Sequence, residues 1–282
     1  MLRCQSCGSL FLNYRPSRAE LSRVYDTYFT YPEKVASATY ATYASKIRLA
    51  EENLHGPGKK MLEIGSAGGH WTRAALQLGW EVDVNDLNDT ELESLPDLRG
   101  GRIYKGFFED IDFDEGAYDV VLAMNLFEHI LLPRVFVQKV WSILRPGGVL
   151  MIKTPHARSW SERLEGIHWR ALLGVGHVQF GTRASIRSLF EGAGFEIALY
   201  QNAGLPPGFK VLKRLRQNRI VKCDGGVEPH WKKNTDGLRY VTGPAARRIA
   251  NTLWVKPIYF AITRMIEIGD SGYWIFRKSH KH

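Results

Sequence analysis

Between residues 60 and 201 the chain alternates short apolar runs with longer stretches whose apolar residues recur every three or four positions. Short apolar runs bounded by turn residues read as strands, and the longer amphipathic stretches read as helices. Strands are expected at residues 60–64, 81–85, near 102–105, at 118–124, 149–153 and 195–201. The run Val120-Val121-Leu122-Ala123 has no polar face, the pattern of a strand covered on both sides. Helices are expected at residues 40–55, with Tyr43, Ile47 and Ala50 near one face, at 71–78, from about 134 to 144, and at 184–191. Gly56-Pro57-Gly58, Arg145-Pro146-Gly147-Gly148 and Gly192-Ala193-Gly194 close three of these helices, because proline and glycine interrupt or cap the helical ladder. Strands alternating with helices predict a parallel sheet with helices on both faces. Ligands of such sheets bind beyond the carboxyl ends of the strands.

Outside this block the rhythm breaks. Residues 1–39 hold a cysteine knuckle, Cys4 and Cys7, then a helix-prone aromatic stretch with Tyr25, Tyr28 and Phe29, and read as a lid segment. Residues 202–270 hold Leu205-Pro206-Pro207-Gly208, a basic run from Lys210 to Lys222 and an amphipathic stretch from about 244 to 268. They read as a helical insert that caps the substrate side. Residues 271–282 supply a last strand to the core of residues 40–201. Charge sharpens the division, since residues 201–282 carry a net +11 and residues 1–200 a net −2. Such asymmetry suggests an anionic partner: a phosphorylated substrate, an anionic membrane surface or nucleic acid. The insert lacks the interleaved aromatic residues that stack on RNA bases, which argues against nucleic acid. Its stretch from Leu253 to Ile266 has the composition of an interfacial helix, interrupted at Pro257. No apolar run is long enough for a spanning helix. Three cysteines and an N-terminus without an apolar stretch point to a reducing cytoplasm, with membrane-peripheral contact through the insert.

The densest chemistry lies in Met61-Leu-Glu-Ile-Gly-Ser-Ala-Gly-Gly-His70, where a buried strand runs into a turn of small residues and then a helix. Small residues let backbone N–H groups and the helix N-terminus approach a ligand closely. Glu63, two positions before Gly65, repels a pyrophosphate and favours an ammonium or a hydroxyl. The turn therefore suits a nucleoside that carries an amino acid. Asp86 follows at about the 20-residue spacing at which an acid reaches a ribose hydroxyl pair. The competing reading makes it a helix N-cap together with Asn88 and Asp89. Gly106-Phe107-Phe108-Glu109-Asp110 offers apolar and acidic groups for an adenine.

Two more segments carry a resemblance. Tyr118-Asp-Val-Val-Leu-Ala-Met-Asn-Leu-Phe-Glu-His129 and Leu144-Arg-Pro-Gly-Gly-Val-Leu-Met-Ile-Lys-Thr-Pro-His156 resemble the fourth- and fifth-strand motifs of class I S-adenosylmethionine-dependent methyltransferases. Glu63-x-Gly65-x-Ala67-x-Gly69 is similar to their first motif, and Asp86 to their ribose acid. His177-Val-Gln-Phe180 with Gly192-Ala-Gly-Phe195 resembles the region after the fifth strand. The branch most resembled includes ubiquinone-type O-methyltransferases and bacterial saccharide and natural-product methyltransferases. The match spans residues 40–200. It implies a doubly wound α/β fold, a seven-stranded, mostly parallel Rossmann-like sheet closed by an antiparallel last strand, with S-adenosylmethionine as cofactor.

Carried over position by position, the resemblance implies that Glu63, Gly65, Ser66 and Gly69 lie along the methionine part of the cofactor. Asp86 would hold the ribose, Phe108 and Glu109 would lie near the adenine, and Met124 would line the reactive centre. Arg48 would pair with the cofactor carboxylate. There are two departures. Ala67 stands where the family has a glycine, a change that is tolerable if φ stays negative. Many relatives begin with two Cys-x-x-Cys knuckles of a zinc ribbon, whereas Cys4 and Cys7 alone stand here, and two thiolates do not close a tetrahedral site.

Methyl transfer to a hydroxyl requires alignment and a base, a task that suits histidine. His177 is the first candidate and His129 the second, followed by His156 and His168. His168 and His177 fall in residues 155–181, which should lid the site, and Trp160 and Trp169 in that segment offer faces for a sugar or quinone ring. Glu128-His129 also offers two ligands for a divalent metal, as in some relatives. The expected activity is O-methylation of a small-molecule, saccharide or lipid-linked acceptor, a saccharide first and a quinone or polyketide second. A nicotinamide oxidoreductase would instead need a third glycine three positions on and no acid before the turn, so Glu63 and Pro146-Gly147-Gly148 speak against it. A non-catalytic cofactor-binding or nucleic-acid-binding protein is the alternative from another class.

Overall fold

The buried strands join one sheet because successive residues face two apolar layers in turn. In β6 (Tyr118–Met124), Val121 and Ala123 enter one layer while Val120, Leu122 and Met124 enter the other. β3 (Lys60–Ile64) does the same, with Leu62 and Ile64 on one side and Met61 on the other. This two-residue period leaves no solvent face, as expected for strands covered by helices on both sides. The computed structural model describes residues 1–28, 37–87, 98–174, 176–203 and 271–279.

The sheet adds β4 (Glu81–Asp86), β5 (Ile103–Lys105), β7 (Leu144–Pro155), β9 (Phe195–Ala203) and β10 (Ser271–Lys278) in the order β5-β4-β3-β6-β7-β10-β9. β5, β4, β3, β6 and β7 run parallel, and β10 lies antiparallel between β7 and β9, with Trp274 opposite Ile152 and Tyr200. The seven-stranded, mostly parallel sheet with an antiparallel last strand is thus present. On one face, α2 (Ser37–Glu51) and α3 (His70–Gln77) bury Ile47, Ala50, Ala74 and Ala75. On the other, α4 (Pro133–Ile143) and α6 (Arg183–Glu191) bury Phe136, Val140, Ile143, Ile186 and Phe190. The α6 N-cap is Thr182, whose hydroxyl accepts the Ser185 N–H, the usual way a free helix donor is satisfied.

Two local expectations change. The Arg145-Pro146-Gly147-Gly148 segment closes α4 at Ile143 as expected, but the next strand starts before residue 149, because β7 begins at Leu144 and continues through the segment. A register irregularity between Tyr118 and Val120 absorbs the glycines. Arg145 serves as a clamp at the amino end of the sheet. Its Nε donates to Asp119, and its Nη atoms donate to the carbonyls of His55 (2.7 Å), Gly56 (3.2 Å) and Pro57 (3.3 Å). Asp119 also accepts the Lys60 N–H at 2.8 Å. A Cβ at Gly58 would lie 1.9 Å from Asp119 Oδ1, so this approach requires glycine. The helix expected over residues 40–55 ends at Glu51, before the clamped loop.

At the N-terminus, β1 (Leu2–Arg3), β2 (Leu10–Phe11) and β8 (Gln179–Phe180) form a small antiparallel sheet, followed by α1 (Arg18–Tyr28). Leu10, Ala157, Trp169 and Phe180 form its core, so Trp169 is 1% exposed and packed, while Trp160 is 44% exposed. Neither tryptophan lines the cavity described below. A short helix α5 (Trp160–Glu165) sits between. The chain divides into one unit of Met1–Gly204 with Gly269–His282 and a second of Leu205–Ile268. The basic insert expected at 202–270, with its amphipathic stretch and Pro257, falls from residue 204 onward outside the described residues. No helix among the described residues is long and apolar enough to cross a membrane.

Candidate active site

The carboxyl ends of β3, β4, β5 and β6 open into one cavity of about 270 Å³. Its walls are the glycine turn after β3, the ends of β4 and β6, the segment after β5 and residues 129–132. α1 and α2 complete it with Arg18, Leu21, Tyr25 and Tyr43.

The glycine turn is closed by Asp86. Its Oδ2 accepts the Ala67 N–H (2.8 Å) and the Ser66 hydroxyl (3.3 Å), and its Oδ1 accepts the Leu87 N–H (2.7 Å). Gly65 has φ +71, and a Cβ there would lie 2.9 Å from Leu126 Cδ1. Ala67 has φ +47, so the condition of a negative φ under which an alanine there would be tolerated without strain is not met. The alanine therefore carries left-handed strain of roughly 1–2 kcal/mol, held by the Asp86 hydrogen bond. Asn125, at the end of β6, is also left-handed at φ +54 and lines the cavity. Strained backbone at two walls of one cavity marks a constrained binding site.

Glu63 is buried on the α3 side of β3, where Thr72 donates to its carboxylate. Burial, partly offset by the Thr72 hydrogen bonds, pushes its pKa up to about 8. At neutral pH the unliganded protein thus keeps Glu63 largely protonated. The charge that the turn would present to a ligand arises only when a cation binds there.

Most of the expected binding residues line this cavity: Glu63, Gly65, Ser66, Asp86, Phe108, Glu109 and Met124. Gly69 stands one step behind, as the α3 N-cap with φ +64, while Gly68 takes the wall. Arg48 is exposed and does not line the cavity, because the α2 face turned to the cavity carries Tyr43. Phe108 packs into the core against Phe113 and Phe136, whereas the Phe107 ring lies under the Arg18 guanidinium at 4.9 Å. Arg18 of α1 also pairs with Asp110, and Arg15, just before α1, donates from Nη2 to the Leu131 carbonyl at 2.7 Å, so the helix and its approach are tied to two sides of the cavity. Leu21, Leu131 and Leu132 carry no local signal of a site in the sequence. His70 and Trp71 were visible only as the residues that follow the turn.

The histidines separate clearly. His129 lines the cavity and its Nδ1 donates to the Gly176 carbonyl at 3.0 Å, which leaves Nε2 as the acceptor nitrogen. His177 stands behind it, with ring centroids 4.6 Å apart and its Nδ1 donating to the Ala171 carbonyl at 2.6 Å. Burial, with a smaller contribution from His177, pulls the His129 pKa down to about 3, and burial lowers that of His177. Glu128 is buried, accepts the Thr154 hydroxyl at 2.9 Å, and is pushed up by burial to about 7. Glu128, His129 and His177 each bring one ligand atom within 4.8 Å of the others, adding a third member to the pair read from the sequence. His156 is buried beside Tyr200, and His168 is exposed. The 155–181 segment does not lid the cavity, since it is drawn into the small sheet with β1 and β2. α1 provides the cover instead.

Cys4 and Cys7 lie in the turn between β1 and β2, both as free thiols. Hydrogen bonds from the Cys7 and Ser6 groups lower the Cys4 thiol to about 6. Among the described residues no third histidine, cysteine or acid joins them.

Comparison with known proteins gives this geometry a family. The profile described as a methyltransferase domain matches residues 36–200. The chain is similar to the ubiquinone biosynthesis O-methyltransferase of Burkholderia thailandensis, 29% identical over 118 residues, covering 39% of this chain and 50% of that protein. It is similar to the enzyme of the same description from Cronobacter sakazakii, 30% identical over 120 residues, covering 40% and 49%. The matched segment thus spans about half the length of these curated relatives. In fold it is similar to a SAM-dependent methyltransferase from Archaeoglobus fulgidus, with a TM-score of 0.54, 13% identity and coverage of 85% and 94%. It is also similar in fold to the [4+2]-cyclase SpnF, with a TM-score of 0.51, 15% identity and coverage of 94% and 97%. These two likenesses speak for the fold alone, and they show that the fold does not dictate one reaction. An acid-flanked turn under strain, an acid at the end of the next strand and a match over most of the core agree: the chain belongs to the methyltransferase-domain family, and the cofactor of this domain is S-adenosylmethionine.

Proposed function

We propose that this protein methylates a phenol-like hydroxyl on an apolar ring, with His129 taking the proton. The observation that carries this reading is the character of the wall left over once the turn, Asp86 and the Phe107–Glu109 segment are assigned to the cofactor. That wall is Leu21, Tyr25, Leu126, Ile130, Leu131 and Leu132 around His129. Such a surface suits a flat apolar ring and offers a saccharide few hydrogen-bond partners. The descriptions of the ubiquinone O-methyltransferase relatives lean the same way, so a quinone-like acceptor moves ahead of the saccharide preferred from sequence.

When bound, S-adenosylmethionine supplies an electrophilic methyl group. Glu63 and the glycine turn hold its amino-acid end, and Asp86 holds its ribose. Tyr25, whose ring centroid lies 5.8 Å from that of His129, would orient an aromatic acceptor. His129 is neutral at physiological pH and presents Nε2. Burial weakens His129 as a base, so the acceptor it can serve is an acidic hydroxyl such as a phenol, with a pKa of about 10, rather than the much less acidic hydroxyl of a sugar. Ionised Glu128 would steady the imidazolium that forms. The positive charge of residues 201–282 supports an anionic group elsewhere on the acceptor.

The convergence of Glu128, His129 and His177 favours a second reading, in which these residues hold a divalent cation that activates the hydroxyl. One assay separates them. Purified protein is incubated with S-adenosylmethionine and a panel of hydroxylated aromatics and saccharides, and products are read by mass spectrometry with and without a chelator. The first reading expects methylated phenols, no effect of the chelator, and a loss of roughly 10²–10⁴-fold in turnover for His129→Ala. Methylation of saccharides with no phenol turnover would overturn it, and activity abolished by chelation and restored by a divalent cation would favour the second.

A further inference from the structure

We propose that His70 is the side chain that recognises the carboxylate of the cofactor's methionine moiety, the role that resemblance alone would give to Arg48. This inference rests on S-adenosylmethionine as the cofactor and is independent of the acceptor. Arg48 is exposed and absent from the cavity wall, while His70 lines it at the first residue of α3, directly after the strained turn.

The imidazole of His70 is fixed in place by two tyrosines of α2. The Tyr43 ring stacks on it with a centroid distance of 6.4 Å and an interplanar angle of 10°, and the Tyr40 ring meets it edge-on at 6.1 Å and 87°. Tyr40 Oη lies 3.5 Å from His70 Nδ1. If that hydroxyl donates, the ring proton resides on Nε2, which is then a donor. Nε2 is buried and has no hydrogen-bond partner among the described residues. A buried polar nitrogen in a cavity wall without a protein partner is a position shaped for a ligand atom.

The chemistry of that atom follows from the surroundings. A donor nitrogen at the positive N-terminal end of α3 favours an anionic oxygen. Glu63, on the strand that enters the same turn, suits a cation. An anion and a cation on adjoining sides of one turn describe an amino acid's carboxylate and ammonium, with His70 taking the first and Glu63 the second. The stacking on Tyr43 removes rotamer freedom from the imidazole before binding, so the hydrogen bond costs little ordering.

The test compares two ligands by isothermal titration calorimetry: S-adenosylhomocysteine, which has the carboxylate, and 5′-methylthioadenosine, which lacks the whole amino-acid end. His70→Phe keeps the stacked ring and removes Nε2. It is expected to weaken S-adenosylhomocysteine about tenfold, the scale of one hydrogen bond to a charged group, and 5′-methylthioadenosine by less than about twofold. His70→Gln, whose amide nitrogen can stand near the position of Nε2, should recover most of the loss, and Arg48→Ala should change neither affinity. Retained 5′-methylthioadenosine binding certifies that each variant is folded. Unchanged S-adenosylhomocysteine affinity in His70→Phe would overturn the proposal, and so would equal losses for both ligands, which would assign His70 a packing role. If the wild-type protein binds neither ligand, the cofactor assignment itself fails and the proposal falls with it.

Discussion

Glu63 couples cofactor binding to proton release, and calorimetry can count the protons. The carboxyl is 2% exposed, and burial holds its pKa at about 8 against an ordinary 4.5. At pH 7 a group with that pKa is about nine-tenths protonated. An ammonium arriving beside it favours the ionised form. Binding of S-adenosylhomocysteine should therefore expel about 0.9 proton from this group at pH 7 and about 0.5 at pH 8. The assay is titration calorimetry in two buffers of different ionisation enthalpy, where the change in apparent enthalpy gives the protons released. Glu63→Gln preserves shape but cannot ionise, so the difference between wild type and variant isolates this residue. Equal release by the two proteins at pH 7 would refute the argument. The same shift has a sign for stability. A folded pKa raised above the unfolded value means that the unliganded native state binds more protons. Its stability is complete below about pH 4.5, declines above it, and has lost the whole contribution once pH passes about 8. The full shift corresponds to at most ~5 kcal/mol, and this part of the pH dependence should be absent in Glu63→Gln.

Three further outcomes follow from backbone geometry and the clamp. Ala67→Gly relieves a left-handed alanine but loosens the unfolded chain, so the balance is a gain of up to about 1 kcal/mol; urea denaturation showing a clear loss would count against the strain. Gly65→Ala adds a Cβ at φ +71 and presses on Leu126, a wall of the cavity. It should lower stability by roughly 1–2 kcal/mol and also weaken S-adenosylhomocysteine binding, and calorimetry showing full affinity would contradict the packing. Asp119→Ala strips Arg145 and the Lys60 N–H of their acceptor at the far end of the sheet. Chemical denaturation should show a loss of roughly 2–4 kcal/mol, with cofactor affinity intact because the cavity lies at the opposite strand ends.

Much of the fold was legible because its signals are local. The unbroken apolar runs of β3 and β6 announce strands covered on both sides, and the turn after β3 announces close approach of a ligand. The errors also have physical causes. Arg145-Pro146-Gly147-Gly148 stops α4 at Ile143 as read, but β7 starts there rather than at residue 149, because Arg145 bonds three carbonyls of a distant loop and Asp119. An alanine at position 67 is free of strain only at negative φ, a condition the sequence cannot check, and the Asp86 carboxylate holds its N–H in a left-handed turn. Trp169 looked like a stacking platform, and the hairpin of residues 2–11 turned it into core.

From the sequence alone came the order of elements, the turn and its two acids, each set by periodicity or spacing within a few dozen residues, while the cofactor came from the resemblance its motifs carry. Tertiary packing alone decided which distant groups meet at the cavity. It turned Tyr43 rather than Arg48 toward the turn, laid Leu21 and Tyr25 of α1 across the opening, and set His177 behind His129. Those choices depend on the rotation of a helix about its axis and on where a segment finds its strand partner. Both are fixed by contacts between parts of the chain that carry no pattern in common.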